Sequence, residues 1–335
     1  MTVGSMGDLA MAFALRQRST EVKNDIQQFN QELTTGMAAD VSDHLGGSYA
    51  RLTSVERDIR ILDGYRVTVA EAQQFTSVMQ VRMEEVSDLA IGFSSDLIAL
   101  DASNSGAARE PLASEARLHF DTIVETLNQK SAGRSVFAGD ATDQSALAAP
   151  DDIFAQIELA IAGATTADDV NVAIDNWFAD ATGFDSLAYT GGTGAIAPFK
   201  MSDTVTIGTD IRANDPAFKD VLKALAKAAV STSSALSLPS EDQAVLIQTA
   251  ASGLIAGQSA IISTQAKLGT AEEQIEAWSL RNQTELIGME NAKAALLAVD
   301  PYETATRLEA AQFQLQSLYA VTVRLSELSL VNYLR

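Results

Sequence analysis

Ile247, Leu254, Ile261, Leu268 and Ile275 recur at a strict interval of seven residues. An apolar repeat of this period keeps one stripe of a helix turned toward a partner helix along its whole length. The N-terminal half carries a matching stripe. Leu52, Val55, Ile59, Leu62, Arg66 and Val69 lead into Ala72, Thr76, Met79, Met83, Val86, Ala90, Phe93, Leu97 and Leu100. A step of three replaces a four after Val69, a small slip in phase. Two long seams in opposite halves of one chain predict an antiparallel, coiled-coil-like rod.

Both chain ends carry seams of their own. Leu15, Val22, Ile26, Phe29 and Leu33 share one helical face, with Ser19 at the missing step. Leu308, Ala311, Leu315, Leu318, Thr322, Leu325 and Ser329 step by three and four, and Leu328 and Val331 widen the stripe. Neither seam adjoins a core in sequence, and a short isolated helix is marginal in water. These ends therefore predict helices that pair with each other and with neighbouring copies, and that order on assembly.

Between Gly133 and Ser237 the pattern changes. Glycines gather at Gly191, Gly192 and Gly194, and Thr204 to Ile207 is β-branched. Helical pieces are expected near 151–162, 167–178 and 216–230. The fold class is mainly α: a long-helix rod from both chain halves, a central α+β insert, and terminal helices. The boundaries read as an N-terminal assembly helix at 1–40, rod halves at 41–132 and 238–299, the insert at 133–237, and a C-terminal assembly helix at 300–335.

A formal charge of −21 disfavours nucleic acid and anionic membrane surfaces. No run of about 18 consecutive apolar residues is present, so no membrane insertion is expected. Residues 1–10 show no cleavable secretory signal. The chain has no cysteine, which removes thiolate chemistry and disulfides.

Candidate chemistry is sparse. His44 lies near Asp40 and Asp43, a weak metal set that reads better as a solvated loop. His119 sits beside Phe120 on an amphipathic helix, a structural or interfacial position. Gly191-Gly192-Thr193-Gly194 lacks a following Lys-Ser/Thr and reads as a turn between strands. Asp151-Asp152 and Asp168-Asp169 precede helical stretches and suit helix N-termini. Met79, Met83 and Phe93 read as core. Trp278 is either core or an intersubunit anchor, and Asn282-Gln283-Thr284 is a chance glycosylation pattern. We expect no enzyme activity, no metal and no cofactor.

Several short stretches resemble one family. Gly133-Arg134-Ser135-Val136-Phe137-Ala138-Gly139 looks like a Gly-x-x-x-Phe-Ala-Gly segment, Leu33-Thr34-Thr35-Gly36 like Leu-Ser-Ser-Gly, and Ser329-Leu330-Val331-Asn332-Tyr333-Leu334 like Ser-Leu-Leu-Asn-Tyr-Leu. All three are features of the flagellin superfamily, most like its hook–filament junction branch. His44-Leu45 stands where that family has Asp-Pro after Ser-Asp.

The resemblance implies a structural subunit of the bacterial flagellum, with flagellin itself as the alternative. It implies export by the flagellar type III pathway without a cleaved signal. The implied partners are other copies of the chain, an adjacent hook-associated junction protein, flagellin, and an export chaperone on the C-terminal helix. The implied assembly interface is Leu15, Val22, Ile26, Phe29, Leu33, Leu308, Leu315, Leu318, Leu325, Leu328 and Tyr333. A helical signalling rod and an enzyme housed in the insert are weaker readings. The glycine-rich insert argues against the first, and no catalytic constellation supports the second.

Overall fold

The computed structural model describes the backbone of residues 3–103 and 106–333, and the side chains of residues 10–101 and 106–325. Nine α-helices are described: α1 (Val3–Thr35), α2 (Val41–His44), α3 (Ala50–Ser103), α4 (Arg109–Leu127), α5 (Pro150–Ala160), α6 (Ala167–Ala179), α7 (Pro216–Val230), α8 (Ser240–Leu297) and α9 (Pro301–Tyr333). The chain forms two compact units, residues 64–282 and residues 1–63 with 283–335.

The larger unit holds one contiguous apolar core. Its scaffold is the α3–α8 pair. Gln73 donates to Glu276 at 2.7 Å, and Gln80 donates to the Gln265 carbonyl at 3.2 Å. The partner number falls as the α3 number rises, so the helices run antiparallel. From Val69 to Leu100 every residue of the α3 seam is buried, and all five heptad residues of α8 are buried too. Before this run the seam is looser: Val55 and Ile59 are half-buried and Arg66 is exposed. By length and composition α8 is also apolar enough to cross a membrane, the one such helix among the described residues. Here its core stripe is buried inside the unit instead.

Helices α4, α5, α6 and α7 complete the core. Phe120 meets Phe154 edge-on at 5.6 Å, and Phe137 meets Phe218 at 5.3 Å. Arg109, itself buried, donates to the carbonyl and hydroxyl of Ser240 and so pins the start of α8 to the start of α4. Helix α6 begins at a capping box, in which Thr166 accepts from the Asp169 amide while the Asp169 carboxylate accepts from the Thr166 amide. Its exposed Asp169 is held below the usual carboxylate range, first by the Thr165 amide. Asp169 thus serves the helix start its position suggested.

The β content is small. β1 (Lys130–Ser131) pairs with β2 (Arg134–Ser135), and β3 (Phe199–Lys200) with β4 (Thr206–Ile207), both antiparallel. The β-branched run at 204–207 therefore supplies only two strand residues. The β3–β4 hairpin is fastened to the long helices. Buried Asn282 donates to the Met201 carbonyl at 3.0 Å, in keeping with a chance Asn-Gln-Thr pattern. Phe199 packs on Phe75 at 5.8 Å.

Asp203 accepts from the Tyr65 hydroxyl at 2.8 Å and from Lys200 at 3.2 Å, and these bonds, Tyr65 first, hold its carboxyl below the usual range. A carboxyl depressed in the folded state contributes stability above its unfolded pKa and loses it as pH falls through the folded one. Acid should therefore loosen this hairpin below about pH 4, and Asp203→Asn should remove that part of the acid response. Hydrogen exchange of the Met201 and Ser202 amides would measure it; unchanged acid sensitivity in Asp203→Asn would assign the response to other groups.

The glycine loop is placed otherwise than expected. It docks on the Phe137–Asp140 segment rather than simply turning between two strands. The Gly192 amide donates to the Ala138 carbonyl at 2.8 Å, the Asp140 amide to the Gly194 carbonyl at 3.0 Å, and the Gly194 amide to the Asp140 carboxylate at 3.2 Å. Gly139 has φ +61°, and a Cβ there would lie 2.5 Å from the Gly194 carbonyl oxygen. Gly139→Ala combines left-handed strain with a backbone clash, so it should cost about 1–3 kcal/mol or more. Urea unfolding would read this, and a wild-type midpoint would show that the two loops do not need this approach.

Candidate assembly interface

The smaller unit is built on α1 and α9. Helix α1 ends at Gly36, whose φ of +71° suits a residue without Cβ, and whose amide closes on the Glu32 carbonyl at 2.8 Å. The next residues form a short two-way bridge. The Ala38 amide donates to the Leu297 carbonyl at 2.8 Å, and the Val299 amide to the Gly36 carbonyl at 3.1 Å. Asp300 then caps α9, accepting from the Tyr302 amide at 2.8 Å, with Pro301 at the first helical position. The end of α1 thus meets the start of α9, and the two helices run back antiparallel.

Val22, Thr304, Leu308 and Ala311 are buried along this pair. Leu15, Ile26, Phe29, Leu315, Leu318 and Leu325 are half-buried. Leu33 is exposed, 42% accessible, and Glu32 takes the seam position instead. Its carboxylate accepts from the Ala39 amide and from Gln28, both at 3.1 Å. An amide that follows a helix stop needs an acceptor, and that need outranks the apolar side chain next door. The side chains of Leu328 and Tyr333 lie outside the described residues. Helices α1 and α9 therefore pair with each other within a single chain.

At the base of the pair is a cleft of about 160 Å³, lined in part by Glu32, Asp40, Asp43, His44, Glu303 and Arg307. Its polar groups are occupied locally. Asp40 caps α2 by accepting from the Ser42 and Asp43 amides, His44 Nε2 lies 3.2 Å from the Leu296 carbonyl, and Arg307 pairs with Glu303 at 2.5 Å. Among the described residues, no group of three or more His, Asp or Glu is arranged to hold a metal. Trp278, in the larger unit, packs partly on the core with Arg281 over its ring at 5.0 Å, an arrangement that favours a core role.

The pair leaves a second set of apolar side chains facing outward. Phe13 is 70% exposed and Phe313 71%, and Met11, Tyr319, Val321 and Val323 are exposed as well. The inner stripe alone has the spacing of a seam. The outward set has a signal of its own: Phe313, Val321 and Val323 interrupt what a solvated helix would fill with charge. These side chains are the candidates for contact beyond the pair.

Comparison with known proteins places this geometry. Residues 256–334 match the family of the bacterial flagellin C-terminal helical region. No curated protein matches the sequence. Among solved structures, a chain assigned as a flagellar hook-associated protein from Vibrio parahaemolyticus is similar, with TM-score 0.52 and 13% identity over 73% of this chain and 95% of that one. FlgL from Bacillus cereus is similar too, with TM-score 0.53 and 12% identity over 72% of this chain and all of that one. The class is thus a mainly α, long-helix fold with a flagellin-type C-terminal region. Within it, the fold is similar to that of these two flagellar proteins, and the flagellin resemblance read at the C-terminal end stands.

Proposed function

We propose that this chain is a non-enzymatic structural subunit of the bacterial flagellum, seated at the junction between hook and filament. One observation carries the reading. The flagellin-type region ends in α9, whose outward side chains Phe313, Val321 and Val323 have no partner within the described residues of the α1–α9 pair. A polymer would cover them. The outward set pairs with neighbouring copies, and the inner stripe of Leu308, Leu315, Leu318 and Leu325 sets the angle at which it is presented. Export without a cleaved signal and a chaperone on α9 belong to the same reading. So do contacts with a hook-associated neighbour on one side and flagellin on the other.

The alternative place in the same structure is the filament. Electron microscopy of a strain lacking the gene separates the two. The junction role gives hooks without filaments and flagellin shed into the medium. Filaments still attached to hooks would end this reading.

A further inference from the structure

The local bonds of the cleft at the base of the α1–α9 pair leave acceptors over. Glu32 accepts from the Ala39 amide and from Gln28 through Oε1 alone. Asp40 accepts from the Ser42 and Asp43 amides through Oδ1 alone. Asp300 accepts from the Tyr302 and Glu303 amides, again through Oδ1 alone. Each of these three carboxylates keeps a second oxygen that bonds nothing among the described residues.

Two of the lining side chains are nearly enclosed. Glu32 is 7% exposed, and both of its partners are neutral amides. A buried carboxylate is costly unless a cation answers it. Thr304 also lines the cleft, is 4% exposed, and its hydroxyl has no partner among the described residues. Other threonines of α9 return the hydroxyl to the carbonyl four residues back, Thr306 to Tyr302 at 2.9 Å and Thr322 to Leu318 at 2.8 Å. Thr304 does not.

Charge and size narrow the occupant. The lining holds five carboxylates, those of Glu32, Asp40, Asp43, Asp300 and Glu303, against the one guanidinium of Arg307. Arg307 and the start of α9 would by themselves suit an anion. Both are already answered, because Glu303 pairs with Arg307 at 2.5 Å and Asp300 takes the first free amides of the helix. A bare metal ion needs ligands that converge on one point. Among the described residues no three His, Asp or Glu do so. The cleft, at about 160 Å³, is also roomier than such an ion needs.

We infer that this cleft binds a small organic cation of the guanidinium class. A guanidinium fans its N–H donors outward from three nitrogens in one plane. It therefore reaches separate acceptors that a compact ion cannot serve together. Its charge answers Glu32, and one N–H gives the Thr304 hydroxyl oxygen a partner. Once bound, it ties the end of α1, α2 and the start of α9 together, where the Ala38 and Val299 amides bridge the chain. The inference goes beyond the flagellar reading and does not depend on where the chain sits in an assembly.

The test titrates methylguanidinium chloride into the full chain by calorimetry. Tetramethylammonium chloride, which has the same charge and no N–H, is run beside it. Methylguanidinium should bind at one site with a Kd of about 1 mM or tighter. With the ligand at ten times its Kd, hydrogen exchange of the Ala38 and Val299 amides should slow about tenfold. Amides of residues 64–282 should be unaffected. Glu32→Gln keeps an acceptor for the Ala39 amide and removes the charge. Thr304→Val removes a hydroxyl that holds nothing in the free chain, so this variant stays folded, which circular dichroism checks. Each substitution should weaken binding at least about fivefold. An equal response to tetramethylammonium would overturn the inference, because charge alone would then draw the ion. Binding that Thr304→Val and Glu32→Gln both leave unchanged would also overturn it. So would no binding with methylguanidinium at about 10 mM.

Discussion

Phe313→Asp should leave the isolated chain as stable as the wild type and remove it from the assembled structure. The side chain is 71% exposed on α9, so a carboxylate there is fully hydrated in the monomer. If a neighbouring copy covers this position, the same carboxylate is stripped of water without a counter-charge. That costs about 4 kcal/mol or more per subunit, roughly a thousandfold in affinity. Leu318→Asp is the contrasting substitution. Leu318 is half-buried in the α1–α9 pair, so it should loosen the pair within one chain as well. Unfolding curves and a swarming assay separate the two effects. Motile cells carrying Phe313→Asp would show that the outward set is not covered by an assembly partner.

Phe120→Ala should be the most damaging single truncation in the larger unit. Its ring is fully buried on α4 and meets Phe154 edge-on. Removing it gives up the transfer energy of the ring and leaves a cavity, about 3–5 kcal/mol together. That is a large fraction of what holds a typical domain folded. Leu118→Ala, two residues away and 63% exposed, should stay within about 0.5 kcal/mol of wild type. Urea titration of the two variants gives the comparison. Equal midpoints would place the core elsewhere than in the four-helix packing described here.

The long helices could be read from the sequence because their signal is periodic and local. Ile247 to Ile275 repeats without error, and every member is buried. Gly36 and Asp300-Pro301 limit their helices for equally local reasons, a left-handed stop and an N-cap with proline behind it. Readings failed where the deciding partner was distant. Leu33 looked like the next seam residue, but the amide of Ala39 needed an acceptor and Glu32 supplied it. The glycines at 191–194 looked like a strand turn, yet their reason is the close approach of Gly139 and Asp140, about fifty residues earlier. No spacing rule announces such a pair. The outward apolar set on α9 was overlooked for another reason: Phe313 and Val323 are visible as residues, but only the placement of Leu308 and Ala311 shows which face is left over.

The junction role is tested most directly by locating the protein in intact flagella. Leu159 is 69% exposed on α5, so Leu159→Cys offers the one thiol in the chain for maleimide-linked gold. Electron microscopy of labelled flagella should show gold in one narrow band where hook meets filament. Gold distributed along the filament would contradict the junction assignment and make the chain a filament subunit.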